Sequence, residues 1–387
     1  MSLNLLNKGI EIELYAGEKS GKVLPLSSKL SSHFREVSQE PDQRNFEYIT
    51  TPTTNYTTLL KEILIPRIKI REYLKSTNDY TLIPGSTMAL PFSKEFYFSK
   101  PEDPYHQYIS KEYKTSVVTT SLHLNFGIED SSDLFKLLCA LRLDTTLFLA
   151  LSASSCFHDG NVTDYHSFRW KTFPKTPAFI PFFTCHDEYI FWINEQLKNK
   201  TMQNVRHLWT SIRPNGPDRP YNLNRIEIRI CDFISNLNHV LAVVAFIEAI
   251  IQNYLLHKQW PKIILQSQSQ LNQTVNLIEE QEELSAKNSL NAEIWDWRRD
   301  TKSTIREIIS NVYKDITNIG KNTDLDTYLK FIPDILEHGN EAMNLLNSYK
   351  STKSIEATIQ CSIENFNKMD MEILKNLETK PKEKNKR

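Results

Sequence analysis

GIEIELY, residues 9–15, is the stretch that decides the fold, because it alternates strictly between apolar and acidic side chains. Successive side chains of a strand point to opposite faces. Ile10, Ile12 and Leu14 therefore fall on one face, and Glu11 and Glu13 fall on the other. The two carboxylates would stand side by side, about 7 Å apart. The pattern predicts a strand with one buried face and one polar face.

Further along the chain, three segments alternate in the same way: residues 45–50 (NFEYIT), residues 117–127 (VVTTSLHLNFG) and residues 224–232 (NRIEIRICD). Glu47 lies in the first, His123 and Asn125 share a face of the second, and Glu227 and Arg229 share a face of the third. Any one of these segments alone is typical of a solvated sheet face. Together they place carboxylates on three of four strands, which suits a sheet whose polar face binds divalent cations and an anionic substrate. Hard cations such as Mg²⁺ prefer oxygen ligands from carboxylates and phosphates.

The composition excludes several classes of protein. The chain has 387 residues, and 46 Lys and Arg against 47 Asp and Glu give a net charge of -1. This balance indicates neither a nucleic-acid partner nor a membrane partner. The longest apolar stretch, residues 240–251, is too short to span a bilayer and contains Glu248, so it is interpreted as a buried helix. We see no signal-peptide pattern.

The cysteines and glycines limit the possible cofactor sites. Five scattered cysteines without a CxxC pair predict neither a disulfide framework nor a zinc site, and they favour a reducing cytoplasm. Cys231 is expected to share the face of Glu227 and Arg229 as a small packing residue. With nine glycines and no GxGxxG or GxxxxGK[ST] motif, any nucleotide must be held without a Rossmann or P-loop cradle.

The predicted organisation is one catalytic domain, residues 1–378, with a strand-bearing core (1–233) and a helical part (234–378). The charged tail, residues 379–387, is predicted to be disordered. Residues 18–45 and 83–113 are predicted to be irregular, and residues 151–181 to be a polar loop that contributes to a site. Helical spacing and caps predict helices over residues 56–74, 131–150, 235–256, 260–287, 293–317, 325–338 and 341–376, the last broken near Ser351.

Five motifs occur in a fixed order: GIEIE, QRNFEYIT, SLHLNFG, the LSASS loop followed by SFRW, and RPNGPDRPYNLNRIEIRICD. This ordered set resembles the carboxylate–amine ligase family that includes glutamate–cysteine ligases, in particular the cyanobacterial type. The resemblance covers roughly residues 8–233 and extends less specifically through the helical part. The fold expected with it is α+β, a curved antiparallel sheet with a polar concave active-site face, flanked by helices and with a largely helical C-terminal part.

What the resemblance implies is ATP-dependent activation of the glutamate γ-carboxylate as an acyl phosphate, followed by attack of the cysteine amine. Two or three Mg²⁺ ions would neutralise the charge that develops. The metal ligands implied are Glu11, Glu13, Glu47 and Glu227. His123 could be a further ligand, could hydrogen-bond a phosphate, or could simply satisfy the core.

The remaining candidate residues would bind substrate. Arg229 could grip a phosphate or carboxylate in a bidentate fork, with a structural ion pair as the alternative. Arg169 and Arg213 are candidate anion ligands, and for each a plain surface arginine is the alternative. Asn125 is expected to contact substrate.

Two other functions remain open on the sequence. A related ligase could use a different amine acceptor in the same machinery, or the chain could be a catalytically inactive protein that binds glutamate or nucleotide. In each case the partners are small molecules, without nucleic acid or membrane. The acceptor that stimulates ADP release would distinguish the first alternative, and ligand binding without turnover would favour the second.

Overall fold

A computed structural model describes residues 3–379, and its centre is a seven-stranded antiparallel sheet. The strands of the protein are β1 (Lys8–Gly17), β2 (Val37–Gln39), β3 (Asn45–Ile49), β4 (Thr81–Ile83), β5 (Leu122–Gly127), β6 (Phe157–His158), β7 (Asn161–Val162), β8 (Ile212–Asn215), β9 (Arg225–Ile228), β10 (Glu293–Asp296) and β11 (Thr301–Thr304). The large sheet has the order β2-β3-β1-β5-β9-β8, and β4 pairs with the end of β1. The predicted α+β class and antiparallel sheet are confirmed.

Strand register brings the polar residues of four strands together. Glu13 lies opposite Glu47 on β3, and Glu11 lies opposite His123 on β5. On the other side of β5, Asn125 lies opposite Glu227. The alternate side chains, such as Ile10, Ile12, Leu124 and Ile228, are buried in the core. The sheet therefore has one apolar face packed against helices and one polar face.

A β-bulge follows β9 and interrupts its alternation. The pairing with β5 shifts by one residue between Ile228 and Asp232. The backbone amides of Arg229 and Ile230 both donate to the carbonyl of Ser211, at 2.8 and 3.2 Å. Two residues opposite one is the signature of a bulge, and bulges re-aim the side chains that follow them.

The bulge explains why the expectation for Cys231 is wrong. Cys231 is completely buried in the apolar core instead of sharing the polar face with Glu227 and Arg229. Asp232 instead lies opposite Ser121 and accepts hydrogen bonds from Ser155 and Ser167. Strict alternation thus holds only up to Arg229.

Fourteen α-helices surround the sheet in the described part of the chain: α1 (Ser27–His33), α2 (Tyr56–Asn78), α3 (Pro104–Tyr113), α4 (Ser131–Arg142), α5 (Thr145–Ser152), α6 (Phe168–Thr172), α7 (His186–Lys198), α8 (Leu237–His257), α9 (Gln268–Asn288), α10 (Ile305–Ile316), α11 (Asp324–Leu329), α12 (Ile332–His338), α13 (Glu341–Thr352) and α14 (Ile355–Thr379). The largely helical C-terminal part is confirmed, and so is the break near Ser351. The segment 131–150 divides into α4 and α5, which meet at Leu143 and Asp144.

Four segments differ from expectation. The start of the predicted helix 293–317 is the hairpin β10–β11, and α10 begins only after Thr304, which caps it with Glu307 in a capping box. Residues 83–113 end in α3, where Asp103 caps the helix and Pro104 takes its first position. Residues 18–45 contain α1 and β2, and the 151–181 segment contains β6, β7 and α6.

Helix α8 is the central core helix, as predicted for residues 240–251. By length and composition it could cross a membrane, and it is the one described helix of that kind, yet 78% of its most apolar window is buried within the fold. Its buried Glu248 pairs with Lys8 Nζ at 3.0 Å and accepts a 2.7 Å hydrogen bond from Tyr56. This buried ion pair ties the start of β1 to α8.

The helical part packs directly on the strand-bearing part. On α14, Asp370 accepts hydrogen bonds from Arg67 and Arg71 of α2 at 3.0 and 2.7 Å, in a buried cluster against Phe366. The single-domain assignment of residues 1–378 remains a prediction. Thr379 ends α14, and the rest of the predicted tail, residues 380–387, lies outside the described residues.

Candidate active site

The polar face of the sheet carries two clusters of possible metal ligands. Glu13, Glu47 and His123 have ligand atoms that all lie within 4.8 Å of one another, and Glu11, His123 and Glu227 form a second such group. His123 belongs to both clusters because it projects from the central strand β5 between β1 and β9. The four glutamates predicted from the sequence are therefore brought to one place.

Hydrogen bonds fix the side chains at the centre of this face. His123 Nδ1 lies 3.0 Å from Glu11 Oε2, and its Nε2 lies 2.9 Å from Ser121 Oγ. The Ser121 hydroxyl donates to Glu13 Oε2 at 2.7 Å, and Asn125 donates to Glu11 Oε1 at 3.1 Å. His123 and Asn125 thus orient Glu11, and Ser121 orients Glu13.

At the acidic end of the face, Glu47 on β3 and Glu40 just after β2 form no ion pair with any residue from 3 to 379. Burial, followed by the charges of Glu40, Glu11 and Glu13, raises the pKa of Glu47 well above its usual range. Burial, together with the charge of Glu13, raises the pKa of Glu40 to about 8. Such shifts mark carboxylates that would be stabilised by a bound cation. Carboxylate oxygens such as those of Glu13 and Glu47, which cluster with His123, suit a hard divalent ion such as Mg²⁺.

Glu227, in contrast, is fully buried and neutralised by arginines. Arg213 grips it with two hydrogen bonds, from Nε at 2.7 Å and Nη2 at 3.0 Å, and Asn215 donates at 2.6 Å. Arg229 Nη1 donates to the same carboxylate. Burial alone would raise the pKa of Glu227, but the charges of Arg213 and Arg229 hold it well below its usual range. A metal ion at Glu227 would have to compete with these donors.

Arg169 and Arg213 are both buried, so the alternative of a surface arginine is wrong for each. Arg169 donates from Nη1 to the carbonyl of Ile230 at 3.2 Å and from Nη2 to that of Arg229 at 3.0 Å. Its guanidinium therefore braces the bulge, 3.6 Å from Asp232. Both arginines also line the cleft described next.

A cleft of about 550 Å³ lies over the polar face. Its wall includes acidic side chains (Glu11, Glu13, Glu40, Glu47, Asp103), basic side chains (Lys100, Arg169, Arg206, Arg213, Arg219, Arg229) and aromatic side chains (Tyr105, Phe173, Trp209). Acidic and basic groups therefore face one cleft. A second cavity of about 930 Å³ adjoins it, shares Glu11 and Ile49 with it, and contains Asn125 and Arg225.

Several residues of the cleft escaped the sequence reasoning. Glu40 follows β2, a three-residue strand too short to show alternation, and Ser121 precedes the first clear apolar–polar pair of β5. Arg206 lies in a three-residue 3₁₀ turn and Arg219 in a loop, and neither segment has a periodicity that indicates where its side chains point. The one usable signal was the RPNGPDRPY run, which holds two arginines just ahead of β9.

Comparison with known proteins identifies a family whose sequence pattern matches most of this chain. Residues 7–362 match the family described as glutamate-cysteine ligase family 2. A protein of Solibacter usitatus named "Putative glutamate--cysteine ligase 2" is 28% identical over 300 residues, 75% of this chain and 74% of that protein. A protein of the same name from Herpetosiphon aurantiacus is 25% identical over 273 residues, 67% of this chain and 66% of that protein.

Two solved structures share the fold at low sequence identity. A bifunctional glutathione synthetase from Pasteurella multocida superposes with a TM-score of 0.74 at 12% identity over 95% of this chain, which spans 53% of that protein. A glutamate–cysteine ligase from Francisella tularensis, in complex with AMP, has a TM-score of 0.67 at 11% identity over 99% of this chain and 97% of that one. At such identities the likeness concerns the fold alone.

Proposed function

Since the chain belongs to glutamate-cysteine ligase family 2, we propose that it joins the γ-carboxylate of glutamate to the amine of cysteine, using ATP. In the first step a γ-carboxylate oxygen attacks the terminal phosphorus of ATP, and ADP leaves. In the second, the cysteine amine attacks the γ-carbonyl carbon, inorganic phosphate leaves, and the amine loses a proton. The product, γ-glutamylcysteine, would be the first intermediate of glutathione biosynthesis, formed in the cytoplasm.

The observation that carries this proposal is the pairing of an acidic end and a basic end within one cleft. ATP and glutamate are both anionic, so bringing them together requires bound cations and fixed positive side chains. Glu13, Glu40 and Glu47 would hold Mg²⁺ at the acidic end, with Glu11 and His123 beside them. Two or three ions are proposed. When bound, Mg²⁺ neutralises phosphate charge and aligns the phosphate with the attacking carboxylate oxygen.

The chain's own residues would do the positioning. Arg229 lies between Glu227 and His123, with its Nη1 3.4 Å from His123 Nδ1, at the middle of the sheet where the two ends of the cleft meet. Its Nε is buried without a hydrogen-bond partner among residues 3–379. That free donor is suited to a phosphate oxygen or to the developing charge on the γ-carbonyl. Arg229 and His123 are therefore proposed as the catalytic groups.

Three further residues would support them. Arg213, gripping Glu227, holds the carboxylate that orients Arg229, and Arg169 holds the backbone of the bulge that carries it. Asn125 orients Glu11 and faces the adjoining cavity, where it is available to substrate. The AMP bound in the Francisella ligase supports ATP as the nucleotide here.

The test is ADP release, coupled to an NADH-consuming assay, with glutamate, Mg·ATP and each of the twenty amino acids as acceptor. We expect glutamate and cysteine together to give the highest rate, with no rate in EDTA. Turnover with another acceptor and none with cysteine would contradict the cysteine assignment but keep the ligase chemistry. Nucleotide binding without turnover under any condition would contradict both.

A further inference from the structure

Arg219 lies in the loop between β8 and β9, and it reaches the basic end of the cleft. The loop is held in a defined shape. The backbone amide of Asn222 donates to the carbonyl of Asp218 at 2.6 Å, and His186 Nε2 lies 2.7 Å from the carbonyl of Pro220. Arg219 is therefore presented from a fixed turn.

Two of the three guanidinium nitrogens of Arg219 are buried and unpaired. Its Nε and Nη1 have no contact with solvent and no hydrogen-bond partner among residues 3–379, and no carboxylate in that part of the chain forms an ion pair with it. Arg213 differs in that its Nε and Nη2 bind Glu227 and its Nη1 binds the carbonyl of Leu208. Leaving buried donors unpaired is costly, and more so when the group is charged. Such donors mark a place where a ligand completes the hydrogen bonds.

The charges around Arg219 select an anion. Arg213 and Arg229 already bind the carboxylate of Glu227, and Arg219 adds a third positive charge to this end of the cleft. Burial lowers the pKa of Arg219, and the neighbouring Tyr189 and Glu227 only partly offset this effect. A bound anion would restore the balance.

The distance between the two ends of the cleft indicates that Arg219 binds a carboxylate and not a phosphate. The uncompensated glutamates are Glu47 on β3 and Glu40 just after β2, and Mg²⁺ held there would draw the phosphates of the nucleotide to that end. β8 is four places from β3 in the sheet order. At about 4.8 Å per strand, this separates the two ends by roughly 19 Å.

We propose that Arg219 binds the α-carboxylate of an amino-acid substrate, so that the enzyme selects α-amino acids over amines and acids that lack this group. The inference rests on the proposed function. The carboxylate that Arg219 binds would be either the α-carboxylate of glutamate or that of the acceptor amino acid, and the two have the same chemistry. The selectivity resides in a loop residue outside the strand motifs.

The experiment compares Arg219→Gln with the wild type on two pairs of probes. Glutamate is paired with 4-aminobutyrate, which keeps the γ-carboxylate and the amine but lacks the α-carboxylate. Cysteine is paired with cysteamine, its decarboxylated form. We expect the variant to lose at least tenfold of the wild-type preference within one pair, and the affected pair identifies the substrate that Arg219 holds. Arg306→Gln, on α10 away from the cleft, is the matched control and should leave both preferences unchanged.

Other outcomes would overturn the inference. Unchanged preferences in both pairs, or an increase in KM confined to Mg·ATP, would remove Arg219 from carboxylate binding. A lower melting temperature together with an equal loss of activity toward all substrates would assign Arg219 a structural role. Because its donors are unpaired, we expect no loss of stability in Arg219→Gln. The glutamate pair is also measured by calorimetry without turnover. This binding arm tests Arg219 even if cysteine proves not to be the acceptor.

Discussion

Replacing Glu40 by glutamine should stabilise the metal-free protein at alkaline pH while it weakens Mg²⁺ binding. Burial and the neighbouring Glu13 raise the pKa of Glu40 from 4.5 to about 8. Because the pKa of Glu40 is higher in the folded state, the proton bound to Glu40 favours folding. This contribution to the free energy of unfolding is complete below pH 4.5 and is lost as the pH rises to about 8. The loss is about 1.4 kcal/mol per pH unit, or about 5 kcal/mol over the whole interval.

Part of this energy is screened, because Glu40 is only half-buried and faces the cleft. We therefore expect the free energy of unfolding of Glu40→Gln to exceed that of the wild type by about 1–3 kcal/mol at pH 8 in EDTA, and to equal it at pH 4.5. For a chain of this length the gain corresponds to roughly 1–4 °C in melting temperature. Bound Mg²⁺ replaces the proton on Glu40, so it should stabilise the wild type more than the variant.

Melting curves from pH 4.5 to 8.5, in EDTA and in Mg²⁺, provide the measurement. Glu36→Gln is the matched control, because Glu36 is exposed four residues earlier and should show neither effect. If Glu40→Gln is less stable than the wild type at pH 8 in EDTA, the acidic end is not strained by like charges. An equal stabilisation of both proteins by Mg²⁺ would exclude Glu40 from the metal site.

Four further predictions concern the site and the core. Glu11→Gln and Glu13→Gln should each remove most of the Mg²⁺-dependent ADP release without unfolding the protein, and full activity at saturating Mg²⁺ would remove them from the metal site. Arg229→Lys should lower kcat/KM at least tenfold, since lysine cannot reproduce the fork; a lower melting temperature with unchanged kinetics would make Arg229 a structural ion pair. Cysteine should exceed 2-aminobutyrate by roughly 10–200-fold in kcat/KM, because a pocket separates near-isosteres poorly, and equal rates would mean that the thiol is not recognised. Asp370→Asn should cost about 3–5 kcal/mol in urea unfolding by leaving two buried arginines without their carboxylate, and a loss below 1 kcal/mol would contradict a docking role.

The polar face that carries the proposed metal ligands could be predicted because it depends on local alternation. In a strand the period of two fixes the face of each side chain, so GIEIELY alone places Glu11 and Glu13 together. His123 and Glu227 follow from the same rule on β5 and β9. The rule fails at Arg229 and Ile230, where the bulge adds one residue, and it therefore misplaces Cys231.

The rest of the site depends on tertiary placement. Glu40 and Arg219 carry no local pattern, since one follows a three-residue strand and the other lies in a turn. The hairpin of β10 and β11 was missed because its apolar residues also fit a helical period, and only the capping box at Thr304 separates it from α10. Prolines in residues 83–113 suggested a loop, although Pro104 occupies the one helical position where proline is favoured.

The two ends of the cleft show how one sheet can treat similar carboxylates differently. Glu227 is neutralised within the protein by Arg213 and Arg229, so its pKa is lowered, whereas Glu40 and Glu47 share a region without arginine partners, so their pKa values are raised. A sheet selected only for stability would pair charges evenly across its face. Here the unpaired negative charge lies at one edge and the unpaired donors lie at the other. Bound metal ions would supply positive charge to the acidic end, and the anionic groups of the substrates would supply negative charge to the basic end. Substrates and ions together would therefore balance the charges of the cleft.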